Sequence, residues 1–261
     1  MTRAIPLVLL MAVLPSGIFA QEAPHELSAQ ELAKKLANPV SSLVSVPFQL
    51  NYDDGYASDG SRWTLNVQPV VPFAITAKWN LISRTIVPII SHEADGDRTT
   101  GLGDITQSLF FSPKAASGGW MWGAGPVIHL AVGNDAFSAN QWGLGPTVVV
   151  VKQAGPWSFG ALANHQWGVS ATPEPHQSVT FVQPFVARGF GKGMTATANL
   201  ESTYDWNADQ WTIPLNLQVS KVVKLGSQRA SVFGGGRAYL DAPDGGPDWG
   251  LRLGLTLIFP R

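Results

Sequence analysis

The chain has 261 residues, of which 45% are apolar and only 13% are charged, and it contains 27 glycines, 19 prolines and no cysteine. Ten tryptophans, twelve phenylalanines and four tyrosines supply an apolar content that argues against a disordered chain. The formal charge of −1 argues against a broadly basic nucleic-acid-binding protein, and the missing cysteines exclude disulfides and thiolate metal sites.

The N-terminal segment has the layout of a secretory signal peptide. Arg3 precedes an apolar run at residues 5–14, Pro15 and Gly17 interrupt that run, and Ala20 offers a small residue for cleavage. The run is shorter than the roughly 18 residues that a membrane-spanning helix requires. We therefore predict that residues 1–20 are a signal peptide and are removed on export.

A short helix is predicted next, within a periplasmic segment at residues 21–40. Ser28 and Glu31 have the spacing of a capping box, and Leu32 and Leu36 share one helical face before Pro39 ends the helix. We interpret it as a surface helix ahead of the main domain. The alternative is that the helix docks at the periplasmic mouth of the following domain and partly plugs it.

From residue 41 onward the hydrophobic period changes to two, which is typical of half-buried strands. In the last run Leu251 and Leu253 face one way, whereas Arg252 and Gly254 face the other. Most runs have about 11 to 14 residues. That length suits a membrane-spanning strand of roughly 9–11 residues better than a globular strand of about 5–6. The twelve runs lie near 42–52, 62–73, 78–91, 101–111, 119–131, 140–151, 157–169, 178–188, 194–205, 211–223, 230–240 and 249–259.

The connections between these runs form two alternating sets, as an up-and-down barrel with two different rims requires. One set is longer and acidic, and the other is short and bounded by basic residues such as Lys152 and Lys192. We predict that the short turns are periplasmic and the acidic loops are external. The acidic loops are expected at 53–61, 92–100, 133–139, 170–177, 205–210 and 241–248.

The tryptophans cluster near the predicted strand ends, where aromatic girdles meet the two membrane–water interfaces. We assign two girdles, one beside the acidic loops and one beside the basic turns. The first contains Trp63, Trp142, Trp167, Trp206, Trp211 and Trp249, and the second contains Trp79, Trp120, Trp122 and Trp157.

Polar residues on the opposite face of the strands are predicted to line a lumen. We first interpret its charged residues as salt bridges that brace the barrel wall; the alternative is a selectivity site with a slight preference for anions or polar aromatic solutes. Charges at membrane depth are expected to pair or to line water. The charged candidates are Arg84, Asp104, Glu201, Arg237 and Arg252, and the polar ones are Asn66, Gln68, Asn199, Asn216 and Gln218.

Catalysis and metal binding are weakly indicated. A barrel hydrolase needs a serine within hydrogen-bond reach of a histidine, and the strand histidines His129 and His165 suggest no such pair. The Asp-rich loops lack the spacing of a defined calcium loop. We predict that the protein is not an enzyme and that it has neither a cofactor nor a metal site.

Four sequence segments carry a resemblance to a known family. They read ELAKKLANP at 31–39, VPFQLNYD at 46–53, NVQPVVPF at 66–73 and GLGDI at 101–105. The chain resembles the bacterial family labelled "MetA-pathway of phenol degradation" over nearly all of its length after the signal peptide. The resemblance implies an outer-membrane β-barrel that moves hydrophobic or aromatic compounds, and it carries over no ligand residues.

Together these patterns predict an all-β protein: a closed, up-and-down, antiparallel transmembrane barrel of about twelve strands at residues 41–261, preceded by a short helix. We expect a bacterial outer-membrane channel that passes a small molecule by passive diffusion, and the family resemblance implies that this molecule is hydrophobic or aromatic. Its expected partners are the lipid bilayer, the solute and the outer-membrane assembly machinery, but not nucleic acid. A non-conducting structural or adhesive barrel is the alternative, and a lipid-acting barrel enzyme is a further one.

Overall fold

The computed structural model describes residues 27–170 and 175–259, so the predicted signal peptide lies outside the described residues. The described part contains one α-helix, one short 3-10 helix and sixteen strand segments that join in a single antiparallel sheet. None of its helices is long and apolar enough to cross a membrane.

The helices and strands follow one another along the chain, with the 3-10 helix Ala57–Asp59 between the first two strands. In chain order they are α1 Ala29–Leu36, β1 Val44–Tyr56, β2 Gly60–Val67, β3 Val70–Ala74, β4 Trp79–Ala94, β5 Asp97–Leu102, β6 Ile105–Pro113, β7 Trp120–Leu130, β8 Gly143–Ala154, β9 Trp157–Gly168, β10 Ser178–Gly191, β11 Met194–Leu200, β12 Ser202–Asp205, β13 Gln210–Thr212, β14 Pro214–Leu225, β15 Gln228–Tyr239 and β16 Trp249–Phe259.

The sheet closes into a barrel because its first and last strands pair. β1 and β16 are antiparallel and in register from Val44 with Phe259 to Asp54 with Trp249. The sixteen segments make twelve passes, since β2–β3, β5–β6, β11–β12 and β13–β14 each form one interrupted pass. The prediction of a closed twelve-stranded, up-and-down barrel is confirmed. Closure leaves no unpaired edge, which would be costly in hydrocarbon.

Connections at the two ends of the barrel differ in length, but less regularly than predicted. One end, here the short-turn end, carries the turns at 75–78, 114–119, 155–156, 192–193 and 226–227; the other, the long-loop end, carries 131–142 and 240–248. Two predicted long loops were wrong, because 53–61 and 92–100 are mostly strand. Asp95 and Gly96 have φ of 53° and 81°, which allows a two-residue hairpin turn.

Side chains alternate between the outside and the inside of the barrel as the two-residue period predicts. In β16, Leu251 and Leu253 are 51% and 61% exposed, whereas Arg252 between them is 2% exposed. In β14, Leu217 is 56% exposed and its neighbour Asn216 is 1% exposed. The barrel therefore has an apolar outer surface, and these two strands present polar side chains to its interior.

The interior is not wholly polar, however. Ile82, Phe110, Val149, Val151 and Leu162 form a buried cluster inside the barrel together with Val40. The four consecutive valines of β8 gave no sign of this cluster, since a run of identical residues cannot show which face each one takes. Val148 and Val150 face outward, so alternation directs the other two inward.

Helix α1 packs inside the short-turn end and does not lie on the surface. Ser28 and Glu31 cap its N-terminus reciprocally: the Ser28 backbone N–H donates to Glu31 Oε2 at 2.8 Å, and the Glu31 N–H donates to Ser28 Oγ at 3.2 Å. Leu32 is fully buried with Leu43, Val222 and Ile258. The preferred interpretation as a surface helix was wrong, and the packing supports the docking alternative.

Candidate functional site

A salt bridge at mid-barrel level joins strands from distant parts of the sequence. The Arg252 guanidinium donates to both carboxylate oxygens of Glu201, at 2.9 and 2.7 Å, and its Nε donates to Asn51 Oδ1 at 2.7 Å. Bidentate geometry of this kind fixes both partners and is stronger than a single contact. Since Arg252 is 2% exposed, its charge depends on Glu201 for compensation.

A second ion pair lies nearer the long-loop end. Arg237 Nη1 is 2.9 and 3.0 Å from the two carboxylate oxygens of Asp53, and their side chains are 8% and 6% exposed. Gly250 is in register with both residues. A Cβ on Gly250 would lie 2.5 Å from Asp53 Oδ1, so only glycine leaves room for this pair.

Arg84 extends the positive charge towards the short-turn end. Its Nη2 donates to Gln68 Oε1 at 3.0 Å. In addition, Gln183 Nε2 is 3.4 Å from Glu201 Oε1. Below, the name arginine cluster covers Arg84, Arg237, Arg252, Asp53 and Glu201, together with Arg62, which lines the same cavity as Asp53 and Arg237.

The predicted amide residues also face the lumen. Asn216 Nδ2 donates to Asn199 Oδ1 at 2.9 Å. Gln68, Asn199 and Gln218 line the same inner cavity as Arg84, while Asn66 lines a second cavity nearer the long-loop end. Nine of the ten predicted lumen residues therefore lie along one polar side of the interior.

Asp104 is the exception, because it lies apart from the arginine cluster. Its carboxylate is 3.1 Å from His129 Nε2 and accepts hydrogen bonds from the backbone N–H groups of Gly133 and Ala139, at 3.0 and 2.7 Å. These contacts anchor the 131–142 loop over the barrel. The expected pairing of Asp104 with the lumen arginines is not observed. Alternation along the strand predicts that Asp104 points inward, but it does not show which strands lie opposite.

Two cavities occupy the polar side of the lumen. The outer cavity has a volume of about 520 Å³ and is lined by Asp53, Tyr56, Arg62, Arg237 and Tyr239, among others. The inner cavity has a volume of about 270 Å³. It is bounded by Arg84, the three amides named above, the rings of Phe185 and Phe233, and helix α1.

Several lining residues were missed by the sequence analysis, although alternation could have found some of them. Arg62 shares parity with Asn66 in β2, and its Cζ lies 5.1 Å from the Tyr56 ring centroid. The inward position of Phe185 and Phe233 could not be predicted from alternation alone. Each ring occupies space left by a glycine on the next strand, and that pairing is visible only in the folded barrel. A Cβ on Gly160 or Gly254 would lie 2.4 or 2.1 Å from those rings.

Helix α1 and the residues after it pack against the barrel wall at the short-turn end of the lumen. Gln153 Nε2 donates to the Lys34 carbonyl at 2.8 Å, and Asn38 Nδ2 lies 3.0 Å from Met121 Sδ. Val40 continues this segment into the apolar cluster on the opposite wall. The segment from Leu32 to Leu43 thus contacts the barrel wall on both sides.

The predicted girdle tryptophans lie near strand ends on the outer surface. Nine of the ten are at least 37% exposed, and Trp79 is half-buried, with its ring centroid 5.8 Å from that of Trp122. At the other end of the barrel, His165 joins an outward aromatic group, with its ring centroid 4.2 Å from that of Trp167.

The strand histidines do not form a serine-based catalytic pair. His129 contacts Asp104, and His165 Nδ1 lies 2.7 Å from Thr180 Oγ1, which also accepts from Trp206 Nε1 at 2.8 Å. Within residues 27–170 and 175–259, no group of three or more histidine, aspartate or glutamate residues is arranged to hold a metal ion.

Comparison with known proteins identifies the fold and nothing finer. No family model matches the chain, and no curated protein matches it significantly. The chain is similar to an outer-membrane channel from Pseudomonas putida F1, with 17% identity, a TM-score of 0.63 and coverage of 83% of this chain and 94% of that one. It is also similar to the NanC porin, with 13% identity, a TM-score of 0.53 and coverage of 81% and 98%.

A barrel enzyme is among the similar structures as well. The outer-membrane phospholipase of Salmonella typhi has 9% identity and a TM-score of 0.50, and the match covers 88% of this chain and 98% of that one. Because channels and an enzyme share this architecture, the likeness does not select an activity. The resemblance to the phenol-degradation family stays a prediction. The chain has the fold of outer-membrane β-barrels.

Proposed function

We propose that the protein is a bacterial outer-membrane channel through which a small polar or anionic solute diffuses passively. It reaches the membrane by export with a cleaved signal peptide and insertion by the outer-membrane assembly machinery. The apolar outer surface with its tryptophans near both strand ends supports the bilayer as its surroundings. The remaining question for function is what the lumen admits.

The observation that carries the proposal is an excess of positive charge along the two cavities. The cations along the two cavities are Arg62, Arg84, Arg237 and Lys35, with Arg252 bound to Glu201 beside them. The carboxylates there are Asp53, Glu201 and Asp244. Five cations therefore face three carboxylates, which leaves two positive charges in excess. In a narrow pore, uncompensated charge attracts ions of the opposite sign, so anions are expected to be favoured over cations.

The test is single-channel recording of the refolded mature chain in a planar bilayer with a salt gradient across it. We expect discrete steps and a reversal potential of the sign that shows anion preference. Arg84→Gln is expected to reduce that preference. Arg98→Gln is the matched control, because Arg98 is exposed at the rim and pairs with Glu93. Cation preference, or selectivity unchanged by Arg84→Gln, would reject the proposal.

A second candidate is a non-conducting structural barrel, and helix α1 is the observation that favours it. The helix is packed against the wall at the short-turn end, where it borders the inner cavity. A helix that stays in place leaves little room for a solute. A folded protein that inserts into bilayers but gives no conductance steps would support this candidate over a channel.

A further inference from the structure

A groove crosses the outer surface of the barrel over β10, β11, β14 and β15. It has a volume of about 500 Å³, and its lining residues are apolar apart from Arg188 at the edge, Thr197 and Gln218. Val186, Leu217 and Val219 form its ridges, while Ala196 and Gly234 form its floor. The groove is separate from both lumen cavities, which lie on the other side of the wall.

Strand register explains why the groove exists. Ala198 lies between Val186 of β10 and Leu217 of β14, and Ala196 lies between Arg188 and Val219. Small residues therefore alternate across the strands with large ones, and the outer surface is indented where β11 runs. Leu217 and Val219 are 56% and 53% exposed, so this indentation is open to whatever surrounds the barrel.

The groove begins beside a cationic patch at the short-turn end. Arg188 is exposed, and its Cζ lies 5.2 Å from the ring centroid of Trp157 and 5.0 Å from that of Phe190. Lys221 has the outward parity of Val219, two residues nearer the end of β14, and Lys192 is exposed in the β10–β11 turn. In the described part of the chain, no carboxylate forms an ion pair with Arg188.

From these features we infer a binding site for one anionic phospholipid. The phosphate is bound by the Arg188 guanidinium, with Lys192 and Lys221 supplying further positive charge, and the first part of one acyl chain lies in the groove along Ala196 and Ala198. Guanidinium groups held against aromatic rings at the headgroup level are well suited to phosphate. The inference rests on the proposed membrane placement, but it does not depend on conduction.

The experiment is native mass spectrometry of the refolded mature chain in detergent, titrated with dioleoyl phosphatidylglycerol or with dioleoyl phosphatidylcholine. We expect one phosphatidylglycerol to bind more tightly than the others and more tightly than phosphatidylcholine. Arg188→Gln is expected to weaken the binding of that phosphatidylglycerol about fivefold, which is the effect of one cationic residue near a lipid surface. Ala196→Leu fills the groove without changing the charge of the protein, and it is expected to weaken the binding of the same lipid.

Matched controls separate this site from general detergent or lipid coating. Lys152→Gln removes a cation that lies 5.2 Å from the Trp120 ring at the same end of the barrel, and Ala161→Leu enlarges an alanine of β9 that does not line the groove. Both are expected to bind like the unmodified chain. Equal binding of the two lipids, or equal losses in controls and test variants, would overturn the inference. Bilayer insertion, scored separately, tests the membrane placement.

Discussion

The two ends of the barrel interior differ in how they are filled. Towards the long-loop end, buried arginines and carboxylates hold one another across the lumen, and cavities remain between them. At the short-turn end, helix α1 and the apolar cluster around Phe110 pack side chain against side chain. Under the proposed channel function, this difference predicts a division of roles, in which the polar end discriminates among solutes and the apolar end controls whether the lumen is open.

The physical cause of the difference lies in what each kind of contact tolerates. Ion pairs have directional partners and can surround water-filled space, because a buried charge needs its partner more than it needs dense packing. Apolar contacts gain most when voids are removed. A barrel interior built from both can therefore combine a polar side with apolar packing that holds helix α1 at the short-turn end.

The largest effect is expected from Leu32→Glu, which places a charge in the fully buried contact between α1 and the wall. Burial of an unpaired charge is costly, so the helix should leave the short-turn end while the strand pairing persists. We expect a severalfold rise in single-channel conductance. Gln30→Glu introduces the same charge at an exposed position of the helix and should leave conductance unchanged. Equal conductance of the two variants would contradict a closing role for α1.

The next largest effect is expected from Phe110→Ala in the apolar cluster. Phe110 is fully buried, and truncation of a buried phenylalanine costs about 4 kcal/mol. Urea unfolding of the refolded barrel should show this loss. Leu253→Ala is the control, since Leu253 is 61% exposed on the outer surface. This variant should lose much less free energy of unfolding. Similar losses for both would mean that the interior cluster adds little to stability.

Glu201→Gln tests the polar end. Arg252 would keep a hydrogen-bond partner but lose the compensating charge, and loss of one member of a buried ion pair costs about 3 kcal/mol. We expect reduced stability in urea together with a stronger preference for anions in the reversal potential. If stability falls while ion selectivity is unchanged, the salt bridge stabilises the barrel wall but does not affect which ions permeate.

The smallest effect is expected from Glu93→Gln at the rim. Glu93 pairs with Arg98, and their side chains are 43% and 64% exposed. Exposed ion pairs contribute about 0–1 kcal/mol, so stability and selectivity should both be nearly unchanged. A loss as large as that of Glu201→Gln would show that exposure does not separate the two kinds of pair in this barrel.

Strand number and the facing of side chains were predictable where large apolar and polar residues alternate, as in β16. Prediction failed where the pattern was uniform, as in the valines of β8. It also failed at 92–100, where acidic residues suggested a loop although Asp95-Gly96 is itself a hairpin signal. For α1, amphipathicity shows that one face will be buried but does not show against what.

Where apolar and polar residues alternate, the sequence by itself determined which residues point outward and which point inward, because a pleated strand turns successive side chains to opposite faces. It determined in the same way that the outer surface is apolar and that the tryptophans lie near strand ends. Only the tertiary structure decided which inward residues meet. Closure of β1 on β16 brings Asn51 to Arg252, while the height and angular position of Asp104 hold it away from the same cluster. Alternation specifies a direction from the wall, but contact across a lumen depends on where each strand stands around the barrel.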